Sequence, residues 1–182
     1  VESAYVDKEV VRPFDQPIQE MGGLVSLFGS LAPGGAILKR SAADPTLFET
    51  EGKAVVFNSL EDLATRIDDP ELEVEAHDIL VLQNAGPKSD AAMPEAGYLP
   101  IPKKLARAGV KDMIRISDAR MSGTAYGTIV LHVTPESAVG GPLALVENGD
   151  KIKLSVKNRT IDLLVDTTQL EKRKQKLLLK TL

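Results

Sequence analysis

Short apolar runs separated by polar, glycine-rich stretches dominate the 182-residue sequence. Such runs predict buried strands, here at 36–39, 54–57, 79–82, 113–116 and 128–133. Past residue 143 further strands are predicted at 143–146, 151–156 and 160–165, and the second of these alternates cleanly. The pairs Asn148-Gly149 and Asn158-Arg159 are typical of hairpin turns between them. A β-meander that closes a barrel or sandwich is therefore expected.

Three stretches predict helices. Ser59 precedes an i, i+3, i+4, i+7 apolar pattern that should end near Asp69-Pro70. Residues 102–108 are helix-like and stop at Gly109, and 169–180 form a charged helix. Many strands with two or three helices indicate a mixed α/β fold, built around a barrel-like β-sheet with a few flanking helices.

The ends of the chain differ from its middle. Residues 1–20 are polar and irregular, which predicts an N-terminal arm or interdomain linker, and 169–182 make up the charged C-terminal helix. The chain opens with Val1 and stops inside this helix-like run, so we expect a fragment of a longer polypeptide. A processed whole protein is the alternative.

Composition excludes several kinds of chemistry for this chain. It has no cysteine, which removes disulfides, a cysteine nucleophile and thiolate ligation of a metal cluster. Two histidines make a histidine-built zinc site unexpected. A net charge of -4 argues against nucleic acid as a partner, and no apolar run approaches 18 residues, so no membrane partner is expected. These features predict a soluble, cytoplasmic protein.

Three loops are chemically dense: "GGLVSLFGSLAPGG", the stretch 84–106 and "ISDARMSGTAYGT" (116–128). In the last, Ser122 between Met121 and Gly123 is a candidate nucleophile or base, although a turn serine bonded to the backbone is the plainer interpretation. Glu95 lies in a Gly/Pro-rich stretch that suits a hard cation such as Mg²⁺. The alternative is a solvated loop glutamate.

Other polar residues of these regions have structural interpretations as well. Asp118 and Arg120 are expected to pair with each other, unless Arg120 grips a substrate carboxylate in bidentate fashion. Lys88 is interpreted as solvated, and His132 as a satisfied core histidine. The glycine pairs match neither a Walker loop nor a G-x-G-x-x-G pattern, which excludes nucleotide binding on motif grounds.

Five motifs in order resemble one family. "GGLVSLFGSLAPGGAILK", "NAGPKSDAAMPEAGYLPIPKKLA", "ISDARMSGTAYGT", "VLHVTPESAVGGPLALVENGD" and "LSVKNRTIDLLVD" together resemble the C-terminal domain of the IlvD/Edd dehydratases. The second and third motifs are more similar to those of the sugar-acid branch, such as the arabinonate and xylonate enzymes, than to "GPKGGPGMRE" and "TDGRFSGG" of the branched-chain enzymes.

The resemblance implies a fold and a division of labour. Residues 21–168 would form the family's swivelling β/β/α domain, which covers the site. A cluster-binding N-terminal domain of the same polypeptide would bring an iron–sulfur cluster, expected to be of the 2Fe–2S type, and most ligands of Mg²⁺. The family also implies a sugar-acid substrate and a homodimer or homotetramer.

Carried onto this sequence, the resemblance makes Ser122 the catalytic base and Glu95 a Mg²⁺ ligand. Thr124 and Arg120 would bind the substrate. The implied reaction removes water from a sugar acid: the C2 proton and the C3 hydroxyl leave, and the enol becomes a 2-keto-3-deoxy acid. Mg²⁺ would offset charge that develops on the substrate and lower the pKa of the Ser122 hydroxyl, and the cluster iron would help the hydroxide to leave.

Two alternatives stay open. The chain could belong to a dihydroxy-acid dehydratase of branched-chain amino-acid biosynthesis, or it could be a non-catalytic β/α module. As a domain without cluster ligands, the isolated chain is expected to have no dehydratase activity.

Overall fold

The computed structural model describes residues 7–91, 99–121 and 126–180. Within these ranges the strands are β1 (Val25–Leu27), β2 (Gly35–Leu38), β3 (Glu49–Phe57), β4 (Ile79–Leu82), β5 (Arg115–Ser117), β6 (Ile129–Thr134), β7 (Lys151–Ser155) and β8 (Thr160–Leu163). The helices are α1 (Leu60–Arg66), α2 (Lys103–Arg107) and α3 (Thr167–Lys180). Short 3-10 helices lie at Arg40–Ala42, Pro45–Leu47, Ser137–Val139 and Pro142–Leu145.

The eight strands form one sheet in the order β1-β2-β6-β5-β4-β3-β7-β8. Its centre is parallel: β3 pairs with β4, β4 with β5, and β5 with β6. Antiparallel pairs flank this centre on both sides. The four parallel strands therefore place their carboxyl ends at one edge of the sheet, and that edge is where the candidate loops begin.

The sheet curls until its two outermost strands meet. Phe28, next to β1, forms a bridge with Thr160 of β8. The N–H of Phe28 donates to the carbonyl of Arg159 at 3.0 Å, and the N–H of Ile161 donates to the carbonyl of Phe28 at 2.8 Å. These backbone bonds close the sheet into a barrel and confirm the predicted barrel-like, mixed α/β fold.

Alternation along the strands divides the buried side chains into two clusters. The interior cluster takes residues from all eight strands, and on β4 these are Ile79 and Val81. The outer cluster takes Leu80 and Leu82 from the same strand and packs them against α1 and the chain around α2. Because the parallel strands are covered on both faces, residues 54–57 of β3 and 79–82 of β4 are continuous apolar runs in the sequence.

Helix α1 begins and docks as its sequence predicts. The Ser59 hydroxyl accepts the N–H of Asp62, which is the expected N-cap contact. Leu63 and Ile67 are buried in the outer cluster. At the last turn the Arg66 guanidinium lies 5.1 Å from the ring centroid of Phe57, a cation–π distance that fixes the helix on β3.

Two predictions for the region after residue 142 were wrong. Residues 143–146 were expected to be a strand, but Pro142–Leu145 is a 3-10 helix with Pro142 at its first turn. Consequently Asn148-Gly149 joins a 3-10 helix to β7. The Asn148 side chain accepts the N–H of Val56 at 2.6 Å, so it stabilises the neighbouring strand β3.

The other hairpin and the C-terminal helix are confirmed. β7 and β8 pair antiparallel up to Ser155 and Thr160 across the predicted turn, with Arg159 in the left-handed region at φ 57°. Helix α3 starts two residues before its predicted position. Arg173 anchors it through Asp150, at 2.5 and 3.0 Å, and the same hydrogen bonds raise the pKa of Arg173.

Replacing Gly29 by alanine should weaken the barrel closure. Gly29 has φ 150°, and a Cβ there would lie 2.2 Å from the carbonyl oxygen of Ile161. We expect Gly29→Ala to lower the free energy of unfolding by about 1–3 kcal/mol, measured by urea denaturation. Gly22→Ala is the control because a Cβ at Gly22 meets nothing within 4 Å. Equal stability of the two variants would contradict the role of this contact.

Acid should weaken the pairing of β3 with β7 through Glu49. The backbone N–H of Lys157, and then the Ser155 hydroxyl, lower the pKa of Glu49 below its ordinary value of 4.5. A carboxyl group whose pKa is lower in the folded state than in the unfolded state stabilises the fold above its unfolded-state pKa. This contribution is lost as the pH falls through the folded-state pKa. We expect the stability difference between the parent and Glu49→Gln to be constant above about pH 6 and to shrink below about pH 4.5.

Urea titrations between pH 3 and pH 7 would measure this difference. Glu51→Gln is the control, because Glu51 lies on the same strand and makes an exposed ion pair with Lys151 at 2.9 Å, which should contribute less than about 1 kcal/mol. A stability difference for Glu49→Gln that does not change with pH would contradict the prediction.

Candidate functional site

The two loops with the candidate residues leave neighbouring parallel strands at the same edge of the sheet. One follows β4 after Leu82, and the other follows β5 after Ser117. In open parallel sheets, ligands bind at the carboxyl ends of the strands. Here that edge belongs to the parallel centre of the barrel, so the topology brings the starts of the two loops together.

A buried carboxylate joins these starts. Asp118 is 1% exposed, and its two oxygens accept the N–H of Ala85 at 3.0 Å and the N–H of Ser137 at 2.8 Å. Asp118 was expected to pair with Arg120. In the structure its carboxylate holds the backbone after β4 to the backbone after β6, whereas the Arg120 side chain is exposed.

A buried guanidinium joins the other ends of the same loops. Arg115 is 3% exposed. It donates to the carbonyl of Leu99 at 3.2 Å and to the carbonyl of Tyr126 at 3.0 Å. Leu99 is the first described residue after 92–98, and Tyr126 is the first after 122–125. The segments 85–99 and 118–126 are therefore tied to each other near both of their ends.

Asp112 balances the charge of Arg115. The pair is separated by 3.0 Å, and both side chains are less than 5% exposed. The second carboxylate oxygen of Asp112 accepts the N–H and the hydroxyl of Thr128, both at 2.7 Å. A buried ion pair requires this degree of hydrogen bonding to offset the loss of water.

Apolar contacts keep the two segments on the same face of the sheet. Ala85 and Leu99 from the first segment and Ala119 from the second belong to the outer cluster, and Met121 packs against it. Met121 directly precedes Ser122 in the sequence. Packing and hydrogen bonds thus agree that these described residues of both segments lie on the outer face of the parallel strands.

Glu136 supports the first segment from the side of β6. Its carboxylate accepts the N–H of Lys88 at 2.8 Å. A Cβ at Gly86 would lie 2.2 Å from the same carboxylate, so a larger residue there would require the Glu136 side chain to shift. The Lys88 side chain is exposed, which agrees with its interpretation as a solvated lysine.

The prediction of a core histidine at position 132 was wrong. His132 is exposed and adopts φ 55° within β6. Its N–H donates to the carbonyl of Ala119 at 3.1 Å. This hydrogen bond lies outside the regular strand pairing and joins β6 to the loop after β5. The left-handed conformation of His132 interrupts the alternation of inward and outward side chains along β6. The apolar pattern of the sequence therefore does not predict that this side chain is exposed.

The predicted site residues divide into two groups. Arg120 is described and lies exposed at the end of β5, three residues beyond Ser117. Ser122, Thr124 and Glu95 lie outside the described residues, and their roles stay predictions. Within the ranges 7–91, 99–121 and 126–180, no group of three or more His, Cys, Asp or Glu side chains is arranged to hold a metal ion.

Arg115 and Asp112, which anchor the ends of the loops, were not singled out in the sequence. Arg115 interrupts the apolar run Met113-Ile114-Arg115-Ile116, and a charge inside a predicted buried strand requires a buried partner. That signal indicates an ion pair, but it does not identify Asp112 or the two carbonyls.

Comparison with known proteins shows the family. The chain matches the model for the dihydroxy-acid/6-phosphogluconate dehydratase C-terminal domain over residues 9–181. It therefore belongs to this dehydratase family, as the five motifs predicted.

Individual relatives include several dehydratases. L-arabonate dehydratase of Azospirillum brasilense is 51% identical over 94% of this chain and 30% of that protein. The 6-deoxy-6-sulfo-D-gluconate dehydratase of Pseudomonas putida is 51% identical over 92% of this chain and 30% of that protein. A dihydroxy-acid dehydratase of Carboxydothermus hydrogenoformans is more distant, at 42% identity over 93% of this chain and 30% of that protein.

The chain thus spans about a third of the length of these relatives. Among its described helices, none combines the length and the apolar character needed to cross a bilayer.

Replacing Asp118 should destabilise the edge of the sheet at which the parallel strands end. Asp118→Asn removes the charge and turns an amide N–H₂ toward one of two backbone donors. We expect the free energy of unfolding to fall by about 1–3 kcal/mol in urea denaturation. Asp69→Asn is the control because Asp69 accepts one N–H, from Glu71, at an exposed turn, and a change below about 0.5 kcal/mol is expected there. Similar losses in both variants would argue against the anchoring role of Asp118.

Proposed function

We propose that this chain is the C-terminal domain of a cytoplasmic dehydratase that converts a sugar acid, a pentonate, into a 2-keto-3-deoxy acid and water. The greater identity with the arabonate and sulfogluconate dehydratases than with the dihydroxy-acid enzyme favours a sugar acid. The third motif, "SDARMSGTAYGT", supports the same choice.

One observation carries the proposal. The segments that hold the two motifs share Asp118 near their starts and Arg115 at their ends. The described residues at the ends of both segments are therefore held together, which supports the proposal that Ser122 and Glu95 act at one site. A hydroxyl and a carboxylate from different parts of the sequence can then serve the same substrate.

The chemistry proposed for this chain is proton removal and substrate binding. The Ser122 hydroxyl oxygen, in its deprotonated form, takes the proton from C2. The C2 electron pair forms the C2–C3 double bond, the C3–O bond breaks, and the departing hydroxide takes the proton that Ser122 removed and leaves as water, which restores the deprotonated serine. The resulting enol becomes the 2-keto acid. Arg120, exposed at the same edge, and Thr124 bind substrate oxygens.

The metal groups implied by the family are not completed by this chain. Its described residues form no cluster of metal ligands, and its sequence has no cysteine. Glu95 is proposed as a single Mg²⁺ ligand. The remaining Mg²⁺ ligands and the iron–sulfur cluster are assigned to an N-terminal domain of the longer polypeptide, which we propose forms a homodimer or homotetramer.

The base assignment predicts the effect of one substitution. In the full-length protein, Ser122→Ala should reduce kcat for a pentonate by at least about 100-fold, since general base catalysis contributes on that order. The control is Ser26→Ala, which removes an exposed hydroxyl on β1 and should leave kcat unchanged. Release of the 2-keto acid is the measured signal, and near-parental kcat for Ser122→Ala would remove this serine from the mechanism.

Substrate choice tests the proposal as a whole. The full-length protein should dehydrate pentonates with a higher kcat/KM than branched 2,3-dihydroxy acids, and the isolated 182 residues should dehydrate neither. A preference for the branched acids would favour the dihydroxy-acid dehydratase. Turnover by the isolated chain would contradict the assignment of the missing groups to another domain.

A further inference from the structure

A single buried cation, the guanidinium of Arg115, binds the ends of the segments 85–99 and 118–126 (the motif segments). The Arg115 guanidinium uses one Nη atom for the Leu99 carbonyl and the other for the Tyr126 carbonyl. Its Nε donates to the Met113 carbonyl at 3.3 Å, and Asp112 neutralises the charge. Its Nε and both of its Nη atoms thus donate to the backbone or to one carboxylate.

Gly127 leaves the space that this guanidinium occupies. Gly127 has φ 116°, and a Cβ there would lie 1.8 Å from Nη2 of Arg115. Any other residue at 127 would push the guanidinium away from the Tyr126 carbonyl. The N–H of Gly127 donates to the Ala42 carbonyl at 2.8 Å, which fixes this turn against a further part of the fold.

The chemistry of this contact requires arginine. A guanidinium is planar and presents five N–H donors in a fixed geometry, whereas lysine offers one point charge on a flexible stem. Lysine at 115 could keep the ion pair with Asp112. Its single nitrogen could not reproduce the two Nη atoms that bind the carbonyls of Leu99 and Tyr126.

We propose that Arg115 is a positioning residue for the dehydration, which sets the segment 85–99 against the segment 118–126. The inference rests on the proposed function, because it gives those segments the base and a metal ligand. Arg115 touches neither substrate nor metal in this proposal and acts through the backbone alone. Displacement of reacting groups by about 1 Å can reduce a rate about 100-fold, so the guanidinium affects turnover as well as stability.

Arg173 provides a matched control. Its guanidinium is also largely buried, binds a carboxylate in bidentate fashion through Asp150 and donates to a backbone carbonyl, that of Leu145, at 2.9 Å. It lies on α3 and contacts neither motif segment through these bonds. Arg115→Lys and Arg173→Lys therefore remove similar buried contacts from different places.

The experiment compares the two variants in the full-length protein by thermal unfolding, pentonate kinetics and backbone hydrogen exchange. Both should lower Tm. Arg115→Lys alone should lower kcat, by about 100-fold, with a smaller change in KM. It should also raise amide exchange by at least about tenfold in residues of both segments at once. Arg173→Lys should keep kcat within about twofold of the parent.

Each other outcome has a defined meaning. Equal kcat for the two variants, or faster exchange in only one segment, would overturn the positioning role. If the parent protein does not act on pentonates, the proposed function fails, while the exchange data still decide whether Arg115 couples the segments.

If Arg115→Lys does not fold, Gly127→Ala should give the same loss of kcat and the same faster exchange, because it displaces the guanidinium from the Tyr126 side. A normal kcat for Gly127→Ala would overturn the inference.

Discussion

The ion pair of Arg115 and Asp112 is the constraint on which the rest of the candidate site depends. Removing two charges from water costs several kcal/mol per ion, and the fold recovers it only when every donor and acceptor is used. Here the carbonyls of Leu99 and Tyr126 bind the guanidinium, and Thr128, just before β6, binds the carboxylate. The electrostatic requirement of one buried pair thus fixes the backbone at Leu99 and Tyr126, at the ends of two otherwise irregular stretches.

Much of the fold could be predicted from local pattern. The run Ile79–Leu82 is the strand that its apolar sequence indicates, and Ser59 caps α1 as expected. The segment at 143–146 failed because its apolar residues follow Gly140, Gly141 and Pro142, a context in which proline favours the start of a 3-10 turn. Strand β1 was missed inside a glycine-rich stretch, since it has only three residues and the glycines around it indicate turns.

The candidate site residues stay predictions, and the contacts that anchor the loops around them could not be derived from the sequence. The motifs indicated Ser122, Glu95 and Arg120 through a resemblance. The anchors depend on long-range contacts: Asp118 meets Ala85 and Ser137, which are 33 and 19 positions away. No sequence spacing predicts long-range contacts between a carboxylate and backbone N–H groups. The local pattern therefore predicted a pair between Asp118 and Arg120 instead.

The alternation along β4 separates two tasks that one strand performs. Ile79 and Val81 fill the barrel, while Leu80 and Leu82 support the layer on which the motif segments lie. Changes at the outward positions can reshape that layer while the barrel packing is conserved. The outer layer can therefore vary in sequence without repeated redesign of the interior, a form of modularity that follows from the pleat of the strand.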